Sequence, residues 1–285
     1  MEKREEQKYQ TLLDTIRPYG SAAVAFSGGV DSSLLMYAAA EALGREHVLC
    51  VTARAASFPA RETEEAAAFC KAHGVRHVFM DFDELGIAGF AANPPNRCYL
   101  CKSALLSKII ELAGNEGFGT VFEGSNADDE SDYRPGMQAV CELGVMSPLR
   151  VAGMTKGDIR AVSRDLGLST WSKPSYACLA SRFAYGEEIT REKLGMVGKA
   201  EQFLLDMGLG SVRVRIHGQD CLTARIETLP EEFARIIAEP LRNEAELYFR
   251  SIGFTYVTLD LAGYRTGSMN EALDVIKDKG AGRAR

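Results

Sequence analysis

Residues 27–33 read SGGVDSS, between the apolar run SAAVAF at 21–26 and the helical stretch LLMYAAAEAL at 34–43. A short run of small and apolar residues that ends on glycines predicts a buried strand, here closing at Ala25 and Phe26. Gly28 and Gly29 let the backbone turn sharply and bring N–H groups close to a ligand. Asp31, Ser32 and Ser33 open the following helix, whose first N–H groups have no partner within it. Strand, glycine turn and helix start together make an anion site. The helix dipole adds only ~0.3–1 kcal/mol. A charge-assisted hydrogen bond is worth roughly 1.5–3 kcal/mol, so donors in the loop dominate. The loop lacks the lysine of a Walker A motif and the spacing of GxGxxG, so it is neither of those phosphate sites.

Outward from this loop the chain alternates. HVLCVTA (47–53), HVFMDFD (77–83) and TVFEGS (120–125) read as further strands. PARETEEAAAFCKAHG (59–74), CKSALLSKIIELAG (101–114) and MTKGDIRAVSRDLGL (154–168) read as helices between and after them. Such alternation predicts an α/β domain with a parallel sheet covered by helices on both faces. Ligands of open parallel sheets lie outside the carboxyl ends of the strands, which puts Arg54 and Gly124 on the pocket wall. After about residue 184 the pattern changes to a helix (190–208), a hairpin from VRVRIHG and CLTARIE, helices within 230–252, and YVTLDL (256–261). The expected organisation is a first domain over 1–184 and a smaller α+β domain over 185–285. VRVRI alternates apolar and basic residues, as a strand buried on one face does.

The chain has 285 residues and a net charge of −6, with 46% hydrophobic and 25% charged residues, the profile of a soluble globular protein. An acidic balance argues against nucleic acid as main partner. MEKREEQKYQTLLDTI at the start has no apolar core of signal-peptide length, and no apolar run is long enough to span a bilayer. The expected location is the cytoplasm, with no membrane partner. Thiols stay reduced there, and the seven cysteines are an odd count, so a disulfide framework is not expected.

Cys98 and Cys101 stand in NPPNRCYLCK (93–102). Zinc would need a full ligand set, with His73 and His77 as the available partners. A redox dithiol would want the pair at a helix N-terminus. Packing is a third reading, since thiols at i and i+3 share a helix face. Cys50, Cys70, Cys141 and Cys221 read as structural.

The SGGVDSS loop resembles that of the PP-loop ATP pyrophosphatases, which implies cleavage of ATP to AMP and pyrophosphate. Ala25, Ser27, Gly28, Gly29, Asp31, Ser32, Ser33, Arg54 and Gly124 are then the ATP-binding candidates. The resemblance extends through EGSNADDESDYRPGMQA (123–139), SKPSYACLASRFAYGEEIT (172–190), VRVRIHG (212–218), ARIE (224–227) and LDLAGYRTGSMN (259–270). Together these blocks resemble the LarE family, ATP-dependent sulfur transferases of nickel-pincer nucleotide synthesis, over essentially the whole chain.

That resemblance implies a pyridinium biscarboxylic acid mononucleotide as substrate, activated as an acyl adenylate with ATP and Mg2+, and a homo-oligomer as the assembly. In the family's sacrificial form the cysteine of the PxxxCLxSR block, here Cys178, supplies the sulfur and becomes dehydroalanine. A thiol with a pKa of about 8.5 needs nearby positive charge to react at neutral pH, and Arg182 is the candidate. Family members with a CxxC besides that cysteine imply a 4Fe-4S cluster held by Cys98, Cys101 and Cys178, leaving one iron open for sulfur; this is the expected sulfur route here, with sacrifice of Cys178 as the alternative. Arginines suit an anionic substrate, and Arg97, Arg182, Arg213, Arg215 and Arg265 are the candidates. Asp129 and Asp132 are the candidates for Mg2+. A tRNA-thiolating PP-loop enzyme, an amide-forming ligase of the NAD-synthetase kind and a metal-dependent sensor that binds ATP are the competing readings.

Overall fold

In the computed structural model the run at 22–25 is one of the two inner strands of a four-stranded sheet. Residues 2–130, 135–174, 177–265 and 268–270 are described. The chain divides into two units, one of residues 1–84 and 98–176, the other of residues 85–97 and 177–285. The sequence predicts a single boundary at 184/185; the second unit begins instead at Ala177 and also takes in residues 85–97.

In the first unit, strands β1 (Ala22–Ala25), β2 (Val48–Arg54), β3 (Arg76–Asp81) and β4 (Val121–Phe122) pair in the order β3-β2-β1-β4, all parallel. Val24 lies opposite Cys50 on one side and Phe122 on the other. Helices are α1 (Lys3–Ile16), α2 (Val30–Leu43), α3 (Ala60–His73), α4 (Arg97–Asn115), α5 (Pro135–Glu142), the short α6 (Pro148–Val151) and α7 (Lys156–Asp165). Helix α1 buries Tyr9, Leu12, Leu13 and Ile16, the i, i+3, i+4, i+7 stripe of a one-sided helix. Helix α2 is apolar nearly all round and lies inside the core, with Leu34, Leu35, Met36, Ala38 and Ala39 fully enclosed. Gly74 ends α3 at φ +67, its N–H closing on the Cys70 carbonyl. Chain order reverses at β1, since β2 and β3 lie to one side and β4 to the other. A ligand crevice is expected at this switch point, outside the carboxyl ends of the strands.

In the second unit, β5 (Val212–His217) and β6 (Thr223–Thr228) form the antiparallel pair expected, and β7 (Tyr256–Leu259) joins β6 in parallel. Helices α8 (Arg191–Asp206), α9 (Phe233–Ile237) and α10 (Leu241–Ser251) complete it. Phe203 stacks on Tyr248 with ring centroids 4.5 Å apart, joining α8 to α10. One expectation fails here. VRVRI is buried along its whole length, Arg213 and Arg215 included, so both faces of β5 are covered rather than one.

Candidate nucleotide and sulfur-transfer sites

The turn after β1 is built as the glycines require. Gly28 has φ +69, and a Cβ there would meet Ala66 Cβ at 3.0 Å and Ala66 Cα at 3.1 Å. Conformation and space therefore both demand glycine. Gly29 caps α2 in extended backbone, and the Ser33 N–H makes the first helical bond to its carbonyl at 2.9 Å. Ser32 Oγ donates to the same carbonyl and lies 3.1 Å from Ser27 Oγ. Ser33 Oγ is buried behind the turn and has no partner among the described residues. Ser27 is exposed and Asp31 half-buried at the mouth.

Gly124 closes the other side. A Cβ on it would stand 3.2 Å from the Ser32 amide nitrogen, so only glycine brings the β4 backbone this close to the start of α2. Asp31 accepts from Asn126 Nδ2 at 3.3 Å and is paired with Lys156. The Lys156 backbone N–H donates to Asp128, which fixes the start of α7 beside the loop. Lys173 Nζ donates to the Gly28 carbonyl at 3.1 Å and pairs with Glu62 and Glu65 at 2.7 and 2.9 Å. Burial would lower the Lys173 pKa, but the two carboxylates outweigh it and raise it. Lys156 and Lys173 carry no local sequence signal, because they lie 125 and 145 residues from their loop partners.

Arg54 ends β2, exposed, its guanidinium 3.5 Å from the centroid of the Phe79 ring. Asp129 is turned inward and caps the Asn126 N–H at 2.9 Å, which places it in the wall of the loop rather than at its mouth. Asp132 lies outside the described residues. Among those described, no three His, Cys, Asp or Glu side chains gather into a metal-binding group.

Helix α4 starts earlier than expected, at Arg97, so Cys98 and Cys101 lie one turn apart in its opening residues, the first exposed and the second half-buried. The next residue, Lys102, pairs at 2.9 Å with Glu123, the buried neighbour of Gly124. Burial would raise the Glu123 pKa, but Lys102, Ser147 and Ser125 outweigh it and hold the carboxyl below its usual range. This side-chain bridge ties the CxxC turn to the strand end that lines the nucleotide loop. The imidazoles weighed for zinc are engaged otherwise: His73 packs on Phe69 and Tyr37, and His77 Nε2 lies 2.8 Å from Thr52 Oγ1.

In the second unit, half-buried Cys178 precedes the 3-10 turn Leu179–Arg182. Arg182 is 1% exposed and forms a two-pronged pair with Glu201 at 2.7 and 2.9 Å. Its remaining nitrogen donates to the carbonyls of Ala177 and Cys178 at 3.1 and 3.4 Å. Arg182 therefore holds the backbone of the cysteine. Arg97 is buried too, bound to Asn93 and to the Ala180 carbonyl at 3.0 Å. Arg215 donates to Ser181 O, Glu227 and Ser268 Oγ, and its Nε is buried without a partner among the described residues. Arg213 lies over the Tyr264 ring at 5.3 Å. Burial, then repulsion from Arg182, lowers its pKa. Arg265 is half-buried and reaches the Gly263 carbonyl at 3.4 Å.

Comparison with known proteins agrees with this architecture. A family model described as NAD synthase matches residues 7–96, from α1 to the turn before α4. An uncharacterized protein of Synechocystis sp. is 41% identical over 94% of this chain and 98% of its own length. One subunit of the glutamine-hydrolyzing GMP synthase of Thermoplasma volcanium is 29% identical over 62% of this chain and 61% of its own. The pyridinium-3,5-bisthiocarboxylic acid mononucleotide synthase of Lactiplantibacillus plantarum is 37% identical over 93% of this chain and 95% of its own. A likeness that runs the length of both chains, on a parallel sheet with a PP-loop turn at its switch point, shows that the chain belongs to the LarE family, that of the L. plantarum synthase.

Proposed function

We propose that the chain uses ATP to adenylate a ring carboxylate of a pyridinium dicarboxylate mononucleotide and then replaces AMP with sulfur, leaving a thiocarboxylate. The observation that carries this is the match to the L. plantarum synthase over 93% of the chain and 95% of that protein's length. The substrate carboxylate oxygen attacks the α-phosphorus of ATP, and the bond to pyrophosphate breaks. A carboxylate is a poor acyl acceptor; the mixed anhydride gives the carbonyl carbon a good leaving group. Ser27, Gly28, Gly29, Ser32 and Ser33 hold the phosphates, and Ala25, Arg54 and Gly124 line the nucleotide. Lys156 adds a cation to the set. Mg2+ enters with ATP, and Asp31 at the mouth is a better placed carboxylate for it than Asp129. Arg213, Arg215 and Arg265 face the anionic substrate, and the Nε of Arg215, buried without a partner among the described residues, supports an anion there.

Sulfur comes from Cys178. Its thiolate attacks the acyl carbon and AMP departs. Loss of the cysteine α-proton then expels the thiocarboxylate by cleavage of Cβ–S, leaving dehydroalanine. A second reading is favoured by Cys98 and Cys101 one turn apart at the start of α4, a pair whose donors suit iron. With Cys178 they would hold a 4Fe-4S cluster that supplies sulfur from its open iron and spares the protein. A homo-oligomer in the cytoplasm is the expected setting, and the exposed Leu247, Tyr256 and Leu261 suit self-association. Among the described residues no helix is long and apolar enough to cross a membrane.

The test is anaerobic incubation of the protein with ATP, Mg2+ and the mononucleotide, followed by mass spectrometry of products and intact chain. AMP, pyrophosphate and thiocarboxylate should appear together, and loss of the elements of hydrogen sulfide from Cys178 identifies the protein as donor. AMP and pyrophosphate without a sulfur-bearing product would reduce the chain to an ATP-splitting enzyme of another purpose.

A further inference from the structure

We infer that Asn93 is a positioning residue for the sulfur-bearing thiols. Among the described residues it alone, apart from glycines, has positive φ, at +51. Asparagine adopts this conformation more readily than most, yet such backbone is uncommon and concentrates where a site must be held in one arrangement. Asn93 is 0% exposed, and each of its polar groups is engaged. Its N–H donates to Phe90 O at 2.9 Å, and its carbonyl accepts from Gly186 N at 3.0 Å. Its Nδ2 donates to Ala184 O at 2.7 Å and, more weakly, to Phe183 O at 3.4 Å. Its Oδ1 accepts from Arg97, whose same nitrogen donates to Ala180 O. The Ser181 N–H returns to the Cys178 carbonyl at 2.9 Å. One side chain thus stitches the turn that runs into Cys98 to the turn that begins at Cys178. It touches no reacting atom in this scheme; it fixes the backbone that leads into Cys98 and the backbone that follows Cys178. Arg97, expected to meet substrate, is the second half of the stitch. The functional side of this inference rests on sulfur passing through these cysteines.

The test is native-state alkylation of all seven cysteines by iodoacetamide, read by peptide mass spectrometry, in the full chain and in two variants. Asn93→Gly keeps the backbone conformation and removes the side chain. Asn93→Asp keeps the shape and the bond from Arg97 but sets a carboxylate against the carbonyls of Phe183 and Ala184. The expected result is a change of about fivefold or more in the rates of Cys98 and Cys178 in both variants. Exposed Cys141 and Cys221 should stay within about twofold, and buried Cys50 and Cys70 should remain unlabelled. In turnover, thiocarboxylate kcat should fall at least about tenfold with KM for ATP unchanged, since small misplacements of reacting groups are costly. Rates at Cys98 and Cys178 that match wild type overturn the inference. So does labelling of Cys50 and Cys70 in both variants, which would make Asn93 a mere support of the fold. Alkylation needs no substrate, so its outcome stands apart from whether the chain transfers sulfur at all.

Discussion

The Arg182 guanidinium grips both oxygens of Glu201 while its remaining nitrogen holds the carbonyls of Ala177 and Cys178. Glu201 also accepts from the Val214 N–H at 2.9 Å, so α8, β5 and the cysteine turn meet at one carboxylate. Removing one partner of a buried ion pair strands the other and costs about 3–5 kcal/mol. Glu201→Gln should therefore lower the melting temperature by more than about 5 °C in a thermal scan. An unchanged melting curve would mean that the pair is not buried in solution.

Gly28 and Gly114 make opposite cases. Alanine at Gly28 is strained by φ +69 and crowded by Ala66, so Gly28→Ala should weaken ATP binding at least about tenfold by calorimetry, with overpacking costing about 1–3 kcal/mol. Gly114 lies in α4 with nothing within 4 Å of a built Cβ. Gly114→Ala should stabilise the protein by about 0.5–1 kcal/mol and leave ATP binding alone.

Lys156 places an ammonium at the mouth of the phosphate turn, held there by Asp31. Its loss should remove a charge-assisted contact worth roughly 1.5–3 kcal/mol, a fall in ATP affinity of about ten- to a hundredfold. Lys156→Arg should recover part of it. Equal affinity in Lys156→Ala would exclude the residue from nucleotide binding.

Asp158 carries an acid-labile share of stability. Burial would raise its pKa, but the ammonium of Lys8 at 2.5 Å and the hydroxyl and N–H of Thr155 outweigh it and bring it down to about 2. The ordinary value is about 3.9. A carboxyl lowered on folding stabilises fully above its unfolded value, and the contribution disappears as pH falls through the folded one. The melting temperature should drop between about pH 4 and pH 2, less steeply in Asp158→Asn. Parallel curves for the two proteins would contradict the assignment.

The two sulfur sources separate on Cys98 and Cys101. If Cys178 is consumed, the double variant Cys98→Ser/Cys101→Ser should still yield up to one thiocarboxylate per chain. If iron carries the sulfur, the double variant should bind none after anaerobic reconstitution and lose repeated turnover.

The turn at 27–33, the parallel sheet around it and the β5–β6 pair were legible because each rests on local pattern: small residues before glycines, alternation, caps. Less legible was anything set by a distant partner. TVFEGS promised a six-residue strand, yet only Val121–Phe122 pair with β1, because Glu123 turns to Lys102 and Gly124 is drawn against Ser32. VRVRI looked half-exposed because its arginines are charged; Glu201 approaches the β5 backbone and Glu227 pairs with Arg215, and their charges make the burial tolerable. Arg97 and Arg182 were expected to meet substrate; that they also bind the carbonyls of Ala177, Cys178 and Ala180 was hidden, since a sequence shows an arginine's charge and not the carbonyls it serves.

The helix that opens on the phosphate turn is also the innermost helix of its unit, wrapped by Leu12, Leu13 and Ile16 of α1, Leu149 of α6 and Ile159 and Val162 of α7. Whatever occupies its first turn is thus wired to the unfolding of the whole unit, because binding to the native state alone adds RT ln(1 + [L]/Kd) to stability. Heat resistance becomes a meter of occupancy: a dye-based melt, with no radiolabel and no sulfur chemistry, should rank nucleotides and their analogues directly.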